Sequence, residues 1–256
     1  MNTSLEGKVI LIGGGAKNLG GLLARDFADH GAGAVVIHYN SDATRAAADE
    51  TVRAVEERGA KAIATQGDLT QVANCAASFD AAEEAFGKVD VAVNTTGMVI
   101  KKPILECTED DYDRSFAINS KAAFFFMKEA GARLNDGGKI VTIVSSLLAA
   151  YTDGYAVYPG SKAPIEHFTR AASREWGARG ISVNSIGPGP MDTPFFYGQE
   201  SKEAVAYHSS AAALSPHSKT GLTDIDDIVP LVRFLCSEGW WITGQCIFAN
   251  GGYTTR

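Results

Sequence analysis

Tyr158 and Lys162 stand four residues apart in Tyr158-Pro159-Gly160-Ser161-Lys162, a spacing that puts a phenol and an ammonium on one face of a helix. A free tyrosine has a pKa of about 10 and is a poor acid or base near neutrality. A lysine cation held beside it favours the phenolate, at about 1.4 kcal/mol for each unit by which the pKa falls. The pair is therefore suited to passing a proton to or from an oxygen. A solvent-facing Tyr and Lys that fall four apart by accident are the bland alternative. A second constellation lies near the start, in Ile12-Gly13-Gly14-Gly15-Ala16-Lys17-Asn18-Leu19-Gly20. It follows a short apolar run and opens a segment of helical period, the context in which glycines let backbone N–H groups approach a pyrophosphate at a helix N-terminus. A tight strand-to-helix connection with no ligand is the alternative there.

Both segments need elements to hold them. Short β-branched runs at Val9–Ile12, Ala34–His38, Ala60–Thr65, Val89–Asn94, Lys139–Val144, Ile181–Ile186 and Gln245–Ala249 alternate with longer stretches of helical period. Leu19, Leu22, Leu23 and Phe27 recur at such spacing, as do Val72, Ala76, Phe79 and Phe86. Alternation of this kind predicts an α/β fold, a doubly wound seven-stranded parallel sheet with helices on both faces: a single-domain Rossmann fold over residues 1–256. Residues 187–222, rich in Gly, Pro, Ala and Ser, break the alternation. A connection that long, leaving the carboxyl end of a strand, is expected to be a mobile substrate lid, with Phe195, Phe196, Tyr197, Tyr207 and Leu214 as apolar wall. Pro164, two residues past Lys162, fits the first turn of a helix or else bends one, which leaves open where that helix begins and how the lysine is aimed.

The Gly13 to Gly20 loop resembles the T-G-x-x-x-G-x-G loop of the short-chain dehydrogenase/reductase family, with Gly13 in place of the Thr and Asn18 in place of the middle Gly. Asn tolerates positive φ better than other non-glycine residues, so the turn is expected to survive. Further pieces match in the family's order at the ends of successive strands. Asp68-Leu69 resembles the adenine-contacting Asp segment, Asn94-Thr95-Thr96-Gly97 resembles N-N-A-G, and Ser146-Leu147-Leu148-Ala149 resembles the turn carrying the catalytic serine. Ser145 and Ser146 lie thirteen and twelve residues before Tyr158, and the turn pattern favours Ser146. Asn119 resembles the fourth catalytic member, which holds a water linking the lysine to solvent. Pro188-Gly189-Pro190-Met191-Asp192-Thr193 resembles the segment that meets the nicotinamide carboxamide, and Asn250-Gly251-Gly252 the closing turn.

The resemblance implies a catalytic set of Asn119, Ser146, Tyr158 and Lys162. It implies cofactor contacts from Gly14, Lys17, Asn18, Leu19, Tyr39, Asn40, Ser41, Asp68, Leu69, Asn94, Thr95, Gly97, Pro188, Gly189, Met191 and Thr193 besides Tyr158 and Lys162. The reaction implied is hydride transfer between NAD(P)H and a carbonyl or alcohol carbon, and the family's 3-oxoacyl-carrier-protein reductases are one specific likeness. Sites that prefer NAD carry an acid about 20 residues after the loop, on the ribose 2′-hydroxyl. Tyr39 stands in that place and Lys17 can oppose a 2′-phosphate, so NADP(H) is preferred and NAD(H) stays possible; Asp42 speaks against the phosphate. Asn40, Ser41 and Asp42 also suit the cap of the next helix. A dinucleotide-binding regulator with vestigial activity is the alternative function.

Composition sets limits on partners. Thirty acidic residues against 23 basic ones leave a net charge of −7 with no long run of either sign, so neither nucleic acid nor a membrane surface is an expected partner. Cys75, Cys107, Cys236 and Cys246 are widely spaced and read as free thiols of a reducing compartment, the cytoplasm. His30, His38, His167, His208 and His217 show no metal-binding spacing, and no metal is expected. The apolar run from Trp240 to Phe248 and the long helices around Asp110–Phe126 and Ala163–Arg179 point, with the resemblance, to a homotetramer or homodimer.

Overall fold

The computed structural model describes residues 3–255. The β-branched runs form β1 (Val9–Gly13), β2 (Ala34–Tyr39), β3 (Lys61–Gln66), β4 (Val91–Asn94), β5 (Lys139–Ile143), β6 (Ser182–Pro188) and β7 (Cys246–Ala249). All pair in parallel, in the order β3-β2-β1-β4-β5-β6-β7. The order reverses between β1 and β4, which opens a crevice at the carboxyl ends of those two strands.

Because strand side chains alternate in direction, each central strand feeds two cores. Ile10 and Ile12 of β1 join a cluster with Leu23 and Phe27 of α1 (Asn18–Asp29), Val55 of α2 (Arg45–Glu56) and Val232 of α9 (Ile225–Cys236). Leu11, between them, faces the opposite cluster with Phe79 of α3 (Val72–Phe86) and Phe126 of α5 (Ala122–Arg133). Phe27, Phe79 and Phe126 are fully buried, each contributing roughly 1.5–3 kcal/mol relative to exposure. Helices thus cover both faces, as the alternation predicted, and the carboxyl edge is held rigidly from two sides.

The start of the helix that carries Lys162, left open by Pro164, is fixed by the structure. α6 runs Val157–Trp176 with Tyr158 in its first turn, so the helix does not begin after Pro164. Pro159 sits among the first N–H positions, where no intrahelical partner is lost, and Pro164 removes only the bond to the Gly160 carbonyl. Residues 187–222, read as a substrate lid, hold short elements of their own. They carry α7 (Pro194–Tyr197) and α8 (Lys202–Ala211), and Met191 bridges to Thr223 in parallel. Between α4 (Glu109–Phe116), which opens on a Thr108–Asp111 capping box, and α5, residues Ala117–Lys121 form a π-turn that contains Asn119. Such single π-turns mark functional positions in helices.

Candidate active site

The crevice between β1 and β4 widens into a cleft of about 630 Å³. Gly14, Lys17, Asn18, Leu19, Tyr39, Asn40, Asp68, Leu69, Thr95, Gly97, Tyr158, Lys162, Met191 and Thr193 line it, as the motifs led one to expect. Asn18 takes φ 50°, so the loop keeps its left-handed residue without glycine. Gly20 cannot be replaced in the same way, because a Cβ there would lie 2.2 Å from the Gly14 carbonyl oxygen. Lys17 at the N-cap of α1 makes no side-chain cap, which leaves the first N–H groups of the helix to a ligand. Thr95 ties the loop to β4 by donating to the Gly13 and Gly14 carbonyls at 2.9 and 3.2 Å.

Four expected cofactor residues lie off this wall. Ser41 opens the turn after β2 and makes no side-chain cap. Asn94 is buried beneath the cleft, where its Oδ1 accepts from the Thr96 N–H and hydroxyl at 2.9 and 2.6 Å. Pro188 and Gly189 line a second, smaller chamber next door. Sequence reasoning in turn missed His38, Thr44, Thr70, Arg114 and Ile118, which do line the cleft. His38 has a definable role: burial lowers its pKa, so the ring is neutral. Its Nδ1 accepts from the Gly14 N–H at 3.3 Å, which leaves Nε2–H to donate to the Gly67 carbonyl at 2.7 Å. A histidine at the end of a buried strand reads as core, and nothing in its spacing signals that it orders the glycine loop.

Tyr158 lines both the cleft and the chamber. Ser145 and Ser146, the latter the serine favoured by the turn pattern, both line the chamber beside it, and of the two it is the Ser145 side chain that acts on the phenol's charge. Ser145, two residues past the end of β5, accepts from the Leu147 N–H at 3.2 Å and caps the short turn that follows. Burial pushes the Tyr158 phenol up to about 12 while the Ser145 contact pulls the other way, so the resting group is a neutral phenol. That is opposite to the lowering expected from Lys162. The lysine is itself desolvated, which brings it down to about 8, and its ammonium donates to the Thr96 and Ile143 carbonyls at 3.0 Å each.

Asn119 is wholly buried instead of lining the cleft. Its Nδ2 donates to the Met98 carbonyl at 2.8 Å and to the Ser115 and Ser161 hydroxyls at 3.2 and 3.0 Å, while its Oδ1 accepts from the Met98 N–H at 3.0 Å. Ser161 donates in turn to the Tyr158 carbonyl at 2.7 Å. Asn119 therefore ties the first turn of α6 to the backbone after β4. A Cβ on Gly97 would press to 3.0 Å from both Asn119 Oδ1 and Lys162 Nζ, so only glycine fits between them.

The chamber is compact, about 80 Å³. Val99, Val144, Leu147, Pro190, Phe195 and Phe196 supply its apolar wall, and Tyr155, Gln199 and His208 its outer end. Phe195 and Phe196 thus stand where the lid reading put them. Tyr197, Tyr207 and Leu214 do not: they are exposed and lie off the chamber wall. His208 is buried, whereas His217 is exposed.

A glycine-lined cradle that meets a buried phenol and ammonium beside a small apolar chamber defines a dinucleotide-dependent oxidoreductase. A family model described as enoyl-(acyl carrier protein) reductase matches residues 14–254. A dehydrogenase from Burkholderia cenocepacia, solved with bound NADP, is 63 % identical and superposes with a TM-score of 0.99, covering 100 % of this chain and 97 % of that one. A short-chain type dehydrogenase/reductase of Picea abies is 35 % identical, over 97 % of this chain and 93 % of its own. An NADPH-dependent aldehyde reductase-like chloroplastic protein of Arabidopsis thaliana is also 35 % identical, over 97 % and 95 %. The chain belongs to the short-chain dehydrogenase/reductase family. It is an NAD(P)H-dependent oxidoreductase acting between carbonyl and alcohol.

Proposed function

We propose that the chain reduces a compact, uncharged, largely apolar carbonyl compound with NADPH, Tyr158 acting as the proton donor. The observation that carries this reading is the position of Tyr158, the one acid that lines both the dinucleotide cleft and the apolar chamber. The bound dinucleotide supplies the hydride. Tyr158, neutral at rest, holds the proton that the developing alkoxide needs. Ser145 is the hydroxyl placed to polarise the substrate oxygen. Lys162 orients the ribose and adds positive charge behind the phenol. Asn119 positions both through Met98, Gly97 and Ser161.

Preference for NADP(H) is supported where the acid of NAD-binding sites would stand. Tyr39 is buried there and donates to Gln66 Oε1 at 3.2 Å, so no carboxylate opposes a 2′-phosphate. Lys17, Asn40 and Thr44 line that end of the cleft. Asp42, the residue that spoke against the phosphate, is paired with Arg45 at 3.3 Å, and Arg45 lies 5.7 Å from the centre of the Tyr39 ring. The Burkholderia relative is described with bound NADP. Steady-state rates over a panel of ketones and aldehydes test the reading: kcat/KM with NADPH is expected to exceed that with NADH by about tenfold or more, one close charge contact being worth about 1.4 kcal/mol. Equal rates with the two cofactors would refute the preference.

The serine roles separate cleanly. Ser145→Ala is expected to lower kcat by roughly 10²–10³, the usual effect of removing one donor to a developing oxyanion. Ser146→Ala is expected to leave kcat within about threefold, as for a substitution that deletes no donor to the reacting oxygen. Equal losses from the two variants would unseat Ser145.

The single-domain reading with residues 187–222 as a substrate lid belongs to the same proposal; α7 carries Phe195 and Phe196 into the chamber wall. Assembly into a homotetramer or homodimer is supported by apolar side chains left on the outer faces: Tyr112 and Phe124 on α4 and α5, and Phe234 and Trp241 near the C-terminus. No helix among the described residues is long and apolar enough to cross a membrane. A cytoplasmic location fits the four free cysteines.

A further inference from the structure

Three loops close the outer end of the chamber: the one after β4, the one between β5 and α6, and the one between α7 and α8. They meet on Glu200. The Glu200 side chain is 0 % exposed, and its carboxylate receives the Lys101 ammonium from the first loop and the Tyr155 hydroxyl from the second. His208 of α8 lies with Nε2 at 4.0 Å from the same carboxylate, and its Nδ1 meets the Tyr253 hydroxyl at 2.9 Å. Lys101 also stands 5.3 Å from the centre of the Tyr155 ring. A carboxylate taken out of water is costly unless paired charge and hydrogen bonds offset the loss, and here the two direct partners, Lys101 and Tyr155, come from two different loops.

Neither Glu200 nor Lys101 lines the chamber. Tyr155 lines the chamber, yet its hydroxyl is committed to Glu200, which is not part of the lining. His208, in the chamber lining, is held beside the same carboxylate.

We infer that Glu200 is the positioning residue that sets substrate selectivity: it clasps the three loops, holds Tyr155 and His208 in place, and keeps the chamber at a size that admits compact carbonyl compounds and excludes bulkier ones. The inference rests on the chamber being the carbonyl site. Lys101→Met leaves the buried Glu200 carboxylate without its cation, Glu200→Gln takes away the charge that draws Lys101 in, and neutralising both removes the mismatch. Glu200→Gln and Lys101→Met therefore loosen the clasp singly, and the double variant restores closure.

The test uses the NADPH-loaded full chain. Amide hydrogen exchange in α8 is expected to speed up about tenfold in Glu200→Gln and to return most of the way in the Glu200→Gln/Lys101→Met double variant, while the sheet stays protected. With a monocyclic and a bicyclic ketone as probes, Glu200→Ala is expected to raise KM for the smaller one about tenfold with kcat within about threefold, and to shift kcat/KM toward the larger one. NADPH affinity is expected to hold within about twofold. Unchanged exchange in α8 would overturn the inference. So would sheet exchange and NADPH affinity deteriorating in step with α8, the mark of a merely structural role. Exchange is read without turnover, so a wild type that reduces no ketone would refute the functional reading while the clasp still stands or falls on α8.

Discussion

Tyr158→Phe is expected to abolish carbonyl reduction to within a background some 10²–10⁴-fold below wild type, the range a positioned general acid contributes. The side chain differs by one oxygen, carried by the residue at the junction of cleft and chamber. The ring remains to fill its buried place, so the fold and the dinucleotide cleft are left intact, and NADPH affinity measured by titration is expected to stay within about threefold. Turnover that survives the substitution would remove Tyr158 from the mechanism. A loss of NADPH affinity matching the loss of turnover would make the phenol a binding group instead of an acid.

Gly20→Ala is expected to damage cofactor binding as selectively as Tyr158→Phe damages the chemistry. The added Cβ would lie 2.2 Å from the Gly14 carbonyl oxygen, 2.9 Å from its carbon and 2.9 Å from Thr95 Oγ1. Two of these three atoms are backbone, so the loop itself has to move, and it is the loop whose N–H groups face the pyrophosphate. Overpacking of this kind costs roughly 1–3 kcal/mol, or about tenfold to a hundredfold in NADPH affinity if the cost falls on the loop. The far end of the chamber does not share these contacts, so KM for the carbonyl substrate at saturating NADPH is expected to change little. Unaltered NADPH affinity would show that the pyrophosphate does not use this loop.

Much of this was legible in the chain. β-Branched runs at regular intervals located every strand to within two residues at either end, because strands buried on both faces leave little else for those residues to do. The glycine loop and the Tyr158–Lys162 spacing were readable because backbone approach and helix periodicity leave local marks. What lay hidden was tertiary. The choice between Ser145 and Ser146 turns on how the short turn after β5 aims two adjacent hydroxyls that both line the chamber, which their spacing from Tyr158 does not encode. Pro164 was an ambiguous stop because its cost is one hydrogen bond, which tertiary packing of a 20-residue helix outweighs. Asn119 carried a motif but no sign that its amide would be spent wholly on protein partners. Glu200 gave no signal at all, since an acid in a polar connection looks solvated until Lys101 and Tyr155, far away in sequence, close over it.

Transfer of label from the nicotinamide to the product tests the central claim most directly. Wild-type protein incubated with NADPH deuterated at the transferred position of C4 and a compact ketone is expected to yield an alcohol carrying deuterium on the carbinol carbon, one per NADPH consumed. Under the same conditions Tyr158→Phe is expected to bind the labelled cofactor and yield no labelled alcohol above background. A wild type that binds NADPH tightly but transfers no deuterium to any ketone or aldehyde offered would contradict the account, and would leave a dinucleotide-binding protein in which Tyr158, Lys162 and Ser145 do no chemistry.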